Sequence, residues 1–440
     1  MKSPSASPRT MRDIFSARST VARYIEFEIA LAQAQAACGV IPQWAAQGIA
    51  AHARPEAVDL AALERATGRS GFPVAPFVRQ LTAICGEAGA WLHWGATTQD
   101  VLLSARALQV NEALPRVEAA LLRIVHRLRE LAQEHRDTPM AGRGFGGHSL
   151  PITFGLKVAN WLVPCTRHVI RVRSLCQRPV EGEFGGAMGT LAALGTAGPA
   201  VQAGVLERLG LAVPAASASS ARDAVAEALQ LLALLTASLA KMAQDIAQLA
   251  WTEIGEVAEP PSGGRDTSST LPHKANPVYS WQVMTSATLV QRNADLMLTA
   301  MRQEQERSGH GFLEGLAVPE AFIEAEACLD TLAKVLDGLQ VDTARMRRNL
   351  GLTQGMVASE ALQMALAAPL GRLAAHDLLH EACEAAARER RPLADVVADM
   401  PQITAHVPAA QVRELLDPER YLGMAALQVD RAVRAAEALQ

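Results

Sequence analysis

A chain of 440 residues can bury more than one core, and its length suggests about two or three domains. Half of it is hydrophobic but only 4% is aromatic, and Ala and Leu dominate, which favours helices because these two residues have the best intrinsic helix propensities. The net charge is -4 and no basic block interleaves with aromatics, so nothing supports nucleic-acid binding; the longest mostly apolar run, 229–240, is too short to span a membrane and is followed by Lys241 and Asp245.

Residues 1–16 are polar with no apolar h-region, so they do not read as a secretory leader, and the first ten resemble a disordered tail. Residues 24–38 have helical periodicity and end at Gly39. A polar segment, His93-Trp94-Gly95-Ala96-Thr97-Thr98-Gln99-Asp100, then precedes a helix predicted over 101–135, interrupted only at Pro115. A Gly-rich connector covers 140–151, and a helix around Pro164 is predicted over 150–175. The strongest pattern is 223–257, where Leu229, Leu232, Leu235, Leu239, Met242, Ile246 and Leu249 recur at spacings of three and four and make one apolar stripe.

After it comes a Pro/Gly-rich run, 260–265, and then Ser268-Ser269-Thr270-Leu271-Pro272-His273-Lys274-Ala275-Asn276-Pro277. Pro277 sits in the first turn of a helix predicted over 278–302. Shorter helices follow at 319–336, 358–366, 373–390 and 409–416. No stretch alternates with period two long enough to require a sheet. These patterns predict an all-α protein built as a long-helix bundle, with an N-terminal helical domain (1–100), a central long-helix bundle (101–350) and a C-terminal helical domain (351–440). The six cysteines are scattered without a CxxC pair and read as buried free thiols of a reducing cytoplasm.

The polar interruptions carry the chemistry. In the 268–277 loop, Lys274 and Asn276 are suited to hold an anion while a Ser oxygen moves a proton, and closure of a mobile loop would exclude water and strengthen each contact. Thr97 and Thr98 stand at a helix N-terminus, which is either an anion site or an ordinary cap. Arg143, among four glycines, has the fork geometry for a carboxylate, and His148 is either functional or satisfied by a backbone carbonyl. Gln305-Glu306-Arg307 is a further charged candidate that also fits a structural ion pair.

Taken together, Ser-Ser-x-x-Pro-x-Lys-x-Asn-Pro at 268–277, His93-x-Gly95-x-Thr97-Thr98-x-Asp100, and Gly142-Arg143 with Pro151 and Phe154-Gly155 resemble the signature regions of the fumarase/aspartase superfamily. Within it the chain is most similar to the bacterial 3-carboxy-cis,cis-muconate cycloisomerase branch. The resemblance implies a cytoplasmic homotetramer with composite active sites, a small polycarboxylate substrate and no metal or organic cofactor. It also implies roles: Ser268 as general base or proton donor, Lys274 supporting it, and Lys274 and Asn276 on the carboxylate beside the reacting carbon. His93, Thr97, Thr98, Arg143, Ser269 and Arg307 would bind and position the substrate, with His148 as a possible acid.

Several positions depart from the superfamily pattern. Where most relatives carry a His two residues after the Arg, this chain has Phe145, which cannot transfer a proton. A carboxylate or nitrite leaving group needs none, because carboxyl pKa values lie near 4. Asp266 and Thr267 replace a more flexible, less charged entry to the serine pair, and Ala275 removes a cation. The sequence therefore leaves three readings open: cycloisomerisation, elimination of nitrite or an amine from a substituted succinate to give fumarate, and a non-catalytic helical scaffold.

Overall fold

The computed structural model describes residues 9–217, 219–261, 270–271 and 274–439. It is 72% helical and 4% strand, so the all-α class holds. Five helices dominate: Thr98–Glu134, Phe154–Gln177, Asp223–Leu249, Val278–Ala300 and Phe312–Asp337. Pro115, Pro164 and Pro319 lie inside three of them, and the helices run on through these residues. The expected break at Pro115 does not occur. Each proline removes one backbone donor, and the apolar residues flanking Pro115, Leu114 and Val117, are buried and hold that turn in place.

The stripe predicted on Asp223–Leu249 is observed: its seven apolar positions are all at most 3% exposed. This helix is long and apolar enough in composition to cross a membrane, and half of its most apolar window is buried inside the protein.

The chain divides into two compact units. The first comprises residues up to 120, 170–237 and 285–329. Its core gathers Phe27, Leu31, Ile49, Phe77, Leu81 and Phe184, drawn largely from the helices Ala17–Ala37, Gln43–His52 and Val74–Cys85. The second comprises 121–169, 238–284 and 330–439. Within it, Leu362, Leu366, Leu379, Leu393, Val397 and Ile403 form a cluster built from the short helices near the C-terminus.

Two short antiparallel ladders, Pro139–Gly144 with Gly147–Thr153 and Val257–Ala258 with Gln340–Val341, depart from the purely helical expectation. The first corrects the helix predicted from residue 150, since the helix starts only at Phe154. Its strands are rich in Gly and contain Pro, so they lack the apolar/polar alternation that a sequence pattern detects. All six cysteines are free thiols. Cys85, Cys165 and Cys328 are buried as expected, but Cys38, which caps the helix Ala17–Ala37, is exposed.

Candidate active site

Ser268 and Ser269 lie outside the described residues, as do Pro272 and His273. The other expected site residues fall into two groups, one in each unit.

In the first unit, Asp100 organises the segment that leads into Thr98–Glu134. Its carboxylate accepts from the backbone N–H of Thr97 at 2.8 Å, of Gly185 at 2.9 Å and of Gly186 at 3.2 Å. One buried carboxylate thus both closes the helix start, as an acidic residue three places into a helix commonly does, and ties it to the Gly185–Gly186 turn. Burial dominates its titration and pushes Asp100 up to about 6, against the pull of the three donors.

Arg307 approaches from the other side. Its guanidinium donates to the Ala187 carbonyl at 2.5 Å and reaches the Thr97 hydroxyl at 3.4 Å. The structure therefore brings Thr97 and Arg307, 210 residues apart in sequence, to one place. The Thr98 side chain makes no hydrogen bond among the described residues and is half-buried. His93, in left-handed backbone conformation at φ 57°, is held by the fully buried Glu28: Nδ1 lies 2.6 Å from Oε1, and the backbone N–H donates to Oε2 at 3.1 Å. Burial works against the charged ring, but the bond to Glu28 and its charge outweigh it and hold the His93 pKa above its ordinary value.

In the second unit, the Gly-rich segment is a hairpin whose two turn residues, Phe145 and Gly146, both have positive φ, 53° and 83°. That is the geometry of a type I′ turn, whose twist matches the flanking strands. Gly142 is needed for the close strand approach, since a Cβ there would lie 2.6 Å from the Leu150 carbonyl oxygen. Phe145 stands fully exposed at the tip.

Arg143 and His148 face each other as cross-strand partners. The fork expected for a substrate carboxylate is taken by a carboxylate of the chain itself. Arg143 donates to Glu256 Oε2 at 2.8 Å and to Oε1 at 2.5 Å, while Asn349 donates to Oε1 at 2.8 Å. The Glu256 side chain is fully buried. His148 keeps a buried Nδ1 with no hydrogen-bond partner among the described residues. Burial first, and the neighbouring Arg143 charge second, hold its pKa below the ordinary value, so the ring is neutral at pH 7.

Lys274 is exposed and its backbone N–H donates to the Leu271 carbonyl at 3.0 Å; Asn276 is half-buried. No hydrogen bond joins either residue to Arg143 or His148 among the described residues. The N-terminus of the helix Val278–Ala300 already has an anion: Glu259 accepts from the N–H of Tyr279 at 3.0 Å and of Ser280 at 2.7 Å.

Sequence reasoning missed Glu28 and Glu256, the acids that hold His93 and Arg143, and Glu259 at the start of the helix Val278–Ala300. Each has another acid two or three places away, Glu26 near Glu28, Glu253 near Glu256 and Glu256 near Glu259, so nothing in the sequence singles it out before its partner's position gives it a role. It also missed Lys157, one turn into Phe154–Gln177, whose pKa is lowered chiefly by burial.

Comparison with known proteins follows the same lines. Residues 5–291 match a family model described as Lyase, and 355–432 match one described as Adenylosuccinate lyase C-terminus. A 3-carboxy-cis,cis-muconate cycloisomerase of Pseudomonas aeruginosa is 41% identical over 98% of this chain and 95% of its own length. A nitrosuccinate lyase of Streptomyces davaonensis is also 41% identical, over 94% of this chain and 90% of its own. Among solved structures, a fumarate lyase from Mesorhizobium sp. BNC1 superposes with a TM-score of 0.90 at 42% identity, covering 98% of this chain and 99% of that one. A 3-carboxy-cis,cis-muconate lactonizing enzyme from Pseudomonas putida gives 0.90 at 38%, covering 97% of each.

Proposed function

We propose, for a chain that belongs to the fumarase/aspartase superfamily of lyases, that its reaction is the interconversion of 3-carboxy-cis,cis-muconate and a carboxymuconolactone. The observation that carries this reading is Phe145. The hairpin tip presents an aromatic ring with no proton to give, and a carboxylate leaving group or nucleophile needs none at neutral pH. The similarity to cycloisomerases over nearly the whole chain supports it.

In the lactonising direction an internal carboxylate oxygen adds to the diene, and Ser268 delivers a proton to the carbon beside a second carboxylate. In reverse, the Ser268 oxygen takes that proton, the C–O bond breaks, and its electron pair leaves with the carboxylate. A free Ser is far too weak an acid to ionise unaided, so Lys274 supplies positive potential beside it. Lys274 and Asn276 hold the carboxylate whose α-carbon exchanges the proton, and Ser269 stands next to the base. Fixed donors on the dianionic intermediate supply the largest part of the rate enhancement.

Thr97, Thr98, His93 and Arg307 position the other carboxylates. Arg143, with its fork filled by Glu256, keeps the hairpin in place, and the neutral His148 ring hydrogen-bonds the substrate beside it. The chemistry draws on no metal or organic cofactor. The working form is a cytoplasmic homotetramer. Large apolar side chains left exposed on long helices, among them Ile170, Leu234, Trp281, Leu289 and Leu298, support an oligomer.

The test is spectroscopic. The conjugated-diene absorbance of 3-carboxy-cis,cis-muconate falls on addition of enzyme, and Ser268→Ala removes the activity. A second reading, elimination of nitrite from nitrosuccinate to give fumarate, is favoured by the Streptomyces relative and by the cation lost at Ala275. Fumarate formation from nitrosuccinate without consumption of the diene would replace the first reading with the second.

A further inference from the structure

The first unit contains a cavity of about 540 Å3, of whose lining the proposed chemistry uses only Arg307. Its wall is mostly apolar, with Phe15, Tyr24, Phe72, Leu102, Leu103 and Phe312 among its residues. The Phe72 and Phe312 rings lie 5.1 Å apart, and both are partly exposed. A space of this size and lining is typical of a pocket for a small organic molecule.

Two polar groups on the wall have hydrogen-bonding capacity left over. Arg106 lies within the helix Thr98–Glu134 and makes one side-chain hydrogen bond among the described residues, from Nη1 to Gln109 Oε1 at 3.2 Å. Its guanidinium carbon also lies 5.9 Å from the centre of the Phe15 ring. Gln109 cannot turn to serve it better, because its amide donates to the Ile14 carbonyl at 2.9 Å and to the Thr20 hydroxyl at 3.0 Å. Tyr24 is only 7% exposed, and its hydroxyl has no hydrogen-bond partner among the described residues.

The local charge is also uneven. Glu314 lines the same cavity, but it is committed to Arg222 through two bonds of 2.8 Å between buried side chains. Two guanidinium groups therefore share one carboxylate. Burial pulls the Arg106 pKa below that of a free guanidinium, the direction expected when a cation has lost water without gaining a full partner. Burial also pushes the Tyr24 phenol up to about 12, which leaves it a hydroxyl donor across the working pH range.

We propose that this cavity is a binding site for a small carboxylate with an apolar, ring-like body, its carboxylate held by Arg106 and the Tyr24 hydroxyl and its body packed against Phe15, Leu102 and the Phe72–Phe312 pair. An anion restores the missing negative charge, and a guanidinium binds a carboxylate by paired donors. The proposal does not depend on which reaction the enzyme catalyses. Arg307 lines this cavity and also contacts Thr97, so a ligand here shares a residue with the segment assigned to substrate positioning.

Benzoate is the probe. Calorimetric titration of the full-length protein is expected to show saturable binding, at least tenfold weaker in Arg106→Met and in the cavity-filling Leu102→Phe, with each variant's fold checked by circular dichroism. Benzyl alcohol, which has the same ring without the charge, is expected not to bind, and inorganic phosphate to bind at least tenfold more weakly than benzoate. Photolabelling with 4-azidobenzoate is expected to mark peptides from 99–109 or 307–319. Absence of benzoate binding, undiminished binding in both variants, equal binding of benzyl alcohol or phosphate, or labelling confined to other peptides would each overturn the site.

Discussion

Replacing Arg143 by Met separates a structural role from a substrate-binding one. The guanidinium makes two charge-assisted bonds to Glu256, at 2.8 and 2.5 Å, and the Glu256 side chain is fully buried while that of Arg143 is 17% exposed. Opposite charges about 4 Å apart attract by about 4 kcal/mol at an effective dielectric near 20. Breaking a buried pair from one side costs a similar amount, about 3–5 kcal/mol, because the remaining charge is left uncompensated. In Arg143→Met the Glu256 carboxylate keeps the Asn349 amide but loses its counter-ion.

A loss of about 4 kcal/mol against an unfolding entropy of about 2.1 cal/mol/K per residue, over this chain length, lowers Tm by about 4 °C. Calorimetry on wild type, Arg143→Met, Glu256→Gln and the double variant checks this, with the double variant expected to recover most of the loss. Steady-state kinetics on the same proteins separates the roles: a lever acting through the hairpin lowers kcat as stability falls, while a pure substrate ligand raises KM alone. A single variant with Tm within about 1 °C of wild type and a raised KM would refute the structural assignment, because a buried carboxylate stripped of its partner cannot be neutral in energy.

Three further outcomes are expected. Phe145→Asn places the favoured Asn-Gly pair at a type I′ turn and relieves a bulky residue of positive φ, so the protein gains about 1 kcal/mol in urea unfolding. Asp100, raised from 3.8 to about 6, binds its proton more tightly folded than unfolded; its contribution is therefore greatest below pH 3.8, falls by about 3 kcal/mol as pH rises to 6, and stays flat above, and Asp100→Asn removes that slope from the difference between urea midpoints. His148→Asn lowers kcat substantially, and the wild-type acidic limb of kcat/KM lies below pH 6.5 because the folded ring titrates low; unchanged kinetics would remove His148 from the site.

Much of the helical frame was legible along the chain because the relevant forces are local. The stripe from Leu229 to Leu249 announces its buried face by spacing alone. The hairpin was not legible, because Gly142, Gly144, Gly146 and Gly147 carry no side chain to alternate, and its stability comes from pairing with residues that the pattern assigned to a helix. Thr97 and Arg307 were both recognisable as polar residues interrupting helices, but nothing in their spacing placed one against the other. The acids were hardest. Glu28 and Glu256 look like ordinary charges in sequence, and only burial makes each a fixed counter-ion.

By itself, the sequence determined the helical class, the family resemblance and the absence of an acid at Phe145, and it nominated candidates to carry a proton and a carboxylate, since residue type and short-range periodicity suffice for these. Tertiary structure alone decided which charges are already spent. Electrostatic pairing acts between residues distant in the chain and grows as water is removed, so Arg143 is committed to Glu256 and His93 to Glu28 only once the chain has folded. The same physics leaves Arg106 beside an open cavity with most of its donors unused among the described residues.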